Sequence, residues 1–98
     1  MPEILFSLRV SQGERVRAFF RRSTHWPAVP AIGERVATGW EAQPEAPVEE
    51  VVWRRDGSAA VTLAALEGGD GVERAREALQ EAGWSMSPMP GTSTELDA

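Results

Sequence analysis

Apolar side chains alternate with polar or smaller ones near the start of the chain, and the alternating set is even-numbered: Ile4, Phe6, Leu8 and Val10, then Val16, Ala18 and Phe20. A period of two, broken around Gly13, predicts a β-hairpin over 3–22. Facing even-numbered residues must sum to an even number. A three-residue loop at Ser11-Gln12-Gly13 meets that condition and pairs Leu8 with Val16, Phe6 with Ala18 and Ile4 with Phe20. A two-residue turn would carry one apolar set to the wrong face.

Pro27 and Pro30 interrupt regular pairing after the hairpin, and the alternation resumes in a short strand over 34–38. Residues 39–47 read as an acidic, proline-bearing loop. A second hairpin follows, with arms Val48–Arg54 and Ser58–Leu66 around Arg55-Asp56-Gly57. Its apolar set is odd-numbered, so a three-residue loop with Gly57 left-handed pairs Val51 with Val61 and Trp53 with Ala59. That register places Trp53 in the core.

The period then changes to that of a helix. Val72, Ala75, Leu79 and Ala82 form one stripe, which predicts a helix over 71–82. Asp70 and Glu73 have the spacing of a capping box, Gly83 suits the left-handed C-terminal position, and Trp84 can pack back on Leu79. Residues 85–98 read as a polar, flexible tail.

These elements predict one small α+β domain over 1–84, mostly β. Five short antiparallel strands form a bent sheet or partly open small barrel, with one C-terminal helix packed on it. With its Gly33-Glu34-Arg35-Val36 segment and Asp56-Gly57 hairpin, this core resembles small SH3-like barrels in architecture, and that resemblance implies no function.

Composition narrows the chemistry. The chain has one histidine, His25, and neither cysteine nor lysine. A Cys–His pair, a thiolate zinc site and a Schiff-base lysine are therefore excluded. No cofactor is expected, and His25 is a poor metal ligand on its own. Adjacent Glu49 and Glu50 should point to opposite faces of a strand, so they make no acid–base pair. No apolar run is long enough for a membrane span. The start of the chain lacks the pattern of a signal peptide. A cytoplasmic protein without a membrane partner is expected. Exclusive use of arginine fits a GC-rich bacterial or phage genome.

The net charge of −5 conceals a split. Residues 1–22 carry five arginines against Glu3 and Glu14, whereas the rest of the chain is acidic. In the hairpin register above, Arg9 faces Arg15, Ser7 faces Arg17 and Leu5 faces Phe19, with Arg21 opposite Glu3. Like charges placed opposite one another cost stability, so this face invites an anionic partner, with Phe19 as its aromatic contact. A solvated arginine face is the plain alternative. Trp26 and Trp40 lie in loops beside prolines or glycine, where tryptophan marks either an interface or a cover over an open barrel end.

The sequence thus reads as a non-enzymatic protein-interaction module, such as an adaptor, inhibitor or assembly protein. Its partner surface comprises Arg9, Arg15, Arg17, Phe19, Arg21, Trp26 and Trp40. An acidic protein is the expected partner. A nucleic-acid accessory role on the same face is the alternative, disfavoured by a pI near 4.8. A small-molecule site at the open barrel end and homodimerisation through an edge strand complete the set.

Overall fold

The computed structural model describes residues 2–87. The alternating segments form β1 (Glu3–Gln12) and β2 (Arg15–His25), followed by β3 (Arg35–Ala37), β4 (Glu45–Trp53), β5 (Ala59–Leu63) and β6 (Leu66–Glu67). A 3-10 turn over Gly69–Gly71 leads into helix α1 (Val72–Glu81), and β7 (Ser85–Ser87) closes the described chain. The order across the sheet is β3-β4-β5-β1-β2-β7, with β6 pairing β1 beyond β5.

The sheet differs from the expected five antiparallel strands and partly open barrel. Among the described residues it has seven strands, is mixed, and stays open. β1 lies at its centre and runs parallel to β5, from Ile4 opposite Ala59 to Ser7 opposite Thr62, and parallel to β6 at Val10 opposite Leu66. Parallel partners far apart in the chain leave no trace in local alternation. The offset changes by one residue between the two pairings, so the expected arm Ser58–Leu66 is interrupted between β5 and β6. β4 begins at Glu45 rather than Val48, because Ala46 and Val48 are buried and Pro47 pairs with Arg35 at the β3 side. Ser85–Ser87, expected in the tail, instead pairs antiparallel with β2 from Phe19 to Arg21. The remainder of the expected tail, 88–98, lies outside the described residues.

The first hairpin keeps its faces by a different route. Its turn has two residues, Gly13 and Glu14, with Gln12 opposite Arg15. A β-bulge at Val10/Ser11 then restores even pairing, so Val10 faces Ala18 and Leu8 faces Phe20. Arg17 is the extra residue that absorbs the parity difference. Ile4, Phe6, Leu8, Val10, Ala18 and Phe20 are all buried, while Phe19 turns outward and is half-buried. Strand β2 runs on to His25 rather than ending at 22. The second hairpin has the expected register, Val51 opposite Val61 and Trp53 opposite Ala59, with Gly57 at φ 90°.

The core lies on one face of the sheet. Even residues of β1 and β2 meet Val61, Leu63, Leu66, Val36 and Val48, and α1 covers them with Ala75 and Leu79. The helix ends as the sequence predicts: Gly83 has φ 103°, its N–H donates to the Gln80 carbonyl, and the Trp84 N–H donates to that of Leu79 at 3.0 Å. Its start differs. Asp70 makes no capping bond, because the 3-10 turn displaces the helix start to Val72. Glu67 organises this loop instead, accepting from the Gly69 N–H at 2.9 Å and from the Gly13 N–H at 3.2 Å.

Candidate protein-interaction surface

The bulge in the first hairpin decides where the basic residues lie. Arg9 faces Phe19, not Arg15, and its guanidinium donates to Glu49 across the sheet at 2.8 Å. Its Nε is buried without an acceptor. The like-charge pairing of Arg9 with Arg15 is thus absent, since the odd-sum pairing near the turn sets Arg15 opposite Gln12. Arg17, expected opposite Ser7, sits on the bulge and donates to the Gln12 side chain. Arg21, expected opposite Glu3, faces Ser7 and Ser85 and is exposed. Phe19 and Arg21 share a groove of about 330 Å³ with Arg9, Thr62 and Ser87 on the outer face of the sheet.

The loop tryptophans lie elsewhere. Trp26 packs on the core side against Phe6, with ring centroids 5.0 Å apart and planes tilted by 58°. Trp40 is half-buried against the core beside the C-terminal part of α1, where a cleft of about 720 Å³ runs past Arg74, Ala78 and Glu81. Phe19, Trp26 and Trp40 therefore occupy three separate places and form no single patch.

Two other readings change. The bulge between Val48 and Glu50 turns both glutamates to the outer face, where Glu49 reaches Arg9 and Glu50 stands opposite Thr62. His25 is exposed at the end of β2 in register with Glu3. Among the described residues, no three His, Cys, Asp or Glu side chains are grouped to hold a metal ion, and no helix is long and apolar enough to cross a membrane.

The largest departure is Trp53. Its register is the predicted one, yet 61% of its surface is exposed. Trp53 sits one pair from the hairpin tip, where the core face of the sheet extends past the layer that covers it. Ile32 is 69% exposed beside it, and Val29, Pro30, Ala31 and Val51 complete an apolar groove of about 470 Å³. Val52 is 48% exposed on the opposite face of the same strand. Apolar exposure is thus gathered around the tip of the second hairpin. The sequence carried a signal for it in the apolar segment Pro27–Ile32, which has no regular strand to join.

The backbone adds to this surface. β3 pairs with β4 only from Glu45 to Pro47, and Val48 takes the Gly33 N–H and donates to the Glu34 carbonyl. Beyond Val48 this side of β4 has no strand partner among the described residues. No family model, curated protein or solved structure matches the chain.

Proposed function

We propose that this protein is a non-enzymatic protein-interaction module that takes up an extended polypeptide along the free edge of β4. The supporting observation is the apolar pair Trp53 and Ile32 lying directly beside unpaired strand backbone. An added strand would satisfy the backbone, and an apolar side chain on it would fill the groove between Ile32 and Trp53. Trp53 is the anchor: large, rigid, exposed in the free protein, and of the residue type that dominates binding energies at interfaces.

This reading moves the docking surface away from the basic hairpin. Arg9 is already ion-paired, and Arg17 is held by Gln12. The groove between Phe19 and Arg21 supports a second reading, contact with an acidic protein surface, because it combines an aromatic wall with an exposed guanidinium. Binding of nucleic acid there would weaken steeply with salt.

The two surfaces separate by mutation. Partner recovered with the wild-type chain should be lost with Trp53→Ala and kept with the double variant Arg17→Glu/Phe19→Ala. The reverse pattern would assign binding to the hairpin face and overturn the β4 reading.

A further inference from the structure

Resting on that reading of the β4 edge, we infer that its occupant is a second copy of this chain, paired antiparallel through β4 with Val52 on the two-fold axis. Two independent features agree on this register, the hydrogen-bond phase of the strand and the order of its charges.

The phase follows from the hairpin. The Arg54 N–H donates to the Ser58 carbonyl at 2.9 Å, which makes Arg54–Ser58 a hydrogen-bonded pair. Antiparallel pairs alternate, so Trp53–Ala59 and Val51–Val61 are non-hydrogen-bonded pairs. The N–H and C=O groups of Val51 and Trp53 consequently point away from β5, toward the free edge. Centring a second β4 on Val52 sets Val51 opposite the partner's Trp53, and Trp53 opposite the partner's Val51. These are the residues whose backbone groups need partners.

The charges follow from the sequence. The edge reads Glu49-Glu50, then Val51-Val52-Trp53, then Arg54-Arg55. Reversing the direction exchanges the acidic and basic ends. In the Val52-centred register Glu50 stands opposite the partner's Arg54, and Arg54 opposite the partner's Glu50. A shift of one residue breaks the hydrogen-bond phase, and a shift of two separates both charge pairs. An unrelated strand could satisfy the backbone, but this sign inversion about one residue is a property of self-pairing.

The faces match as well. A two-fold axis normal to the sheet joins core side to core side. Trp53 then lies beside the partner's Val51 next to the apolar groove, and Val52 meets the partner's Val52 on the outer side, with Glu50 and Arg54 flanking them. Gly33, bonded at Val48, limits the shared ladder to Glu50–Arg54. Free edges are usually blunted with lysine, proline or a covering element. From Glu50 to Arg54 this one carries no proline, and its charges have opposite signs at the two ends, so an antiparallel copy pairs them instead of repelling them.

Sedimentation of the full chain over a concentration series tests the proposal. The wild type should dimerise reversibly, and Glu50→Arg or Arg54→Glu alone should each weaken the dimer by about tenfold or more. Mixing these two variants should restore association, because each then supplies the charge that the other lacks. The double variant Glu50→Arg/Arg54→Glu should also self-associate. The natural absence of cysteine permits a second readout: Val52→Cys should oxidise to a covalent dimer, whereas Ser23→Cys on β2 should not. A wild type that stays monomeric, or single variants that dimerise as well as it does, would overturn the self-pairing. Recovery of another protein in a Trp53-dependent manner by such a monomer would leave the β4 docking reading standing. Loss of both would remove it too.

Discussion

The indole N–H of Trp84 donates to the backbone carbonyl of Thr38 at 2.8 Å, and both residues are buried. This bond ties the end of α1 to the turn after β3, two segments that share no strand ladder. The Thr38 hydroxyl in turn donates to the Gln43 carbonyl and accepts the Trp40 N–H, so the turn is organised around one buried threonine.

Replacing Trp84 separates the two contributions of that side chain. Trp84→Phe retains most of the apolar bulk but leaves the Thr38 carbonyl without its donor, at a cost of about 1–3 kcal/mol. Trp84→Ala also opens a cavity and should cost about 3–5 kcal/mol. Urea unfolding followed by circular dichroism should show midpoints falling in that order with a common slope. A Trp84→Phe variant as stable as the wild type would assign no role to the hydrogen bond, and equal losses for the two variants would assign none to the apolar bulk.

Gly39 and Ala82 meet where the same turn passes the end of the helix. Gly39 has φ +87°, and a Cβ placed on it would lie 2.3 Å from the Ala82 Cβ. Gly39→Ala therefore combines left-handed backbone strain with an overlap that requires the helix end or the turn to move. The expected loss is about 2–4 kcal/mol. Gly39→Ala in an Ala82→Gly background should recover the steric part only. Full recovery in the double variant would show that backbone strain contributes little.

Much of this fold was legible because short-range periodicity reports which face is buried. Ile4, Phe6, Leu8, Val10, Ala18 and Phe20 are buried as the alternation requires, with Val16 half-buried near the turn, and Gly83–Trp84 ends the helix as its sequence pattern requires. The pairing of β1 with β5 was not legible, because it joins segments whose contact depends on the whole sheet. Arg17 shows a subtler limit. Parity argued against a two-residue turn, yet one bulged residue restores parity and moves every basic side chain of the hairpin to a new neighbour. Trp53 shows the converse. Its face was inferred correctly, but burial also requires a covering layer, and at that hairpin tip the layer has ended.

The ion pair of Arg9 with Glu49 bridges β1 and β4 over the outer face, with side-chain exposures of 32% and 50%. Pairs of this exposure contribute little, because water competes for both charges and ordering two long side chains costs entropy. Glu49→Gln should shift stability by less than ~1 kcal/mol, and a double-mutant cycle with Arg9→Gln should give a coupling in the same range. The same variants report on the hairpin face. If the groove beside Phe19 binds an acidic partner, releasing Arg9 from Glu49 should tighten that binding. Unchanged affinity would count against any use of Arg9 in recognition.

Asp56 connects the second hairpin to pH. Its Oδ1 accepts the Ser58 hydroxyl at 2.6 Å and the Ser58 N–H at 2.9 Å. The hydroxyl bond is the main reason its carboxyl lies below its ordinary value of 3.8, followed by the N–H bond, with the Arg54 charge adding to both. A carboxyl with a lowered folded-state pKa favours the native hairpin while it is ionised. That contribution is present above the ordinary carboxylate range and is lost as pH falls through the lowered value. The loop that Asp56 holds sets Arg54 opposite Ser58, and through it the phase that leaves Val51 and Trp53 facing the free edge. Carboxyl-carbon NMR titration should place the Asp56 midpoint below 3.8 in the wild type and closer to that value in Ser58→Ala. A midpoint that does not move on removal of the hydroxyl would assign the lowered value to the Ser58 N–H bond and the Arg54 charge instead.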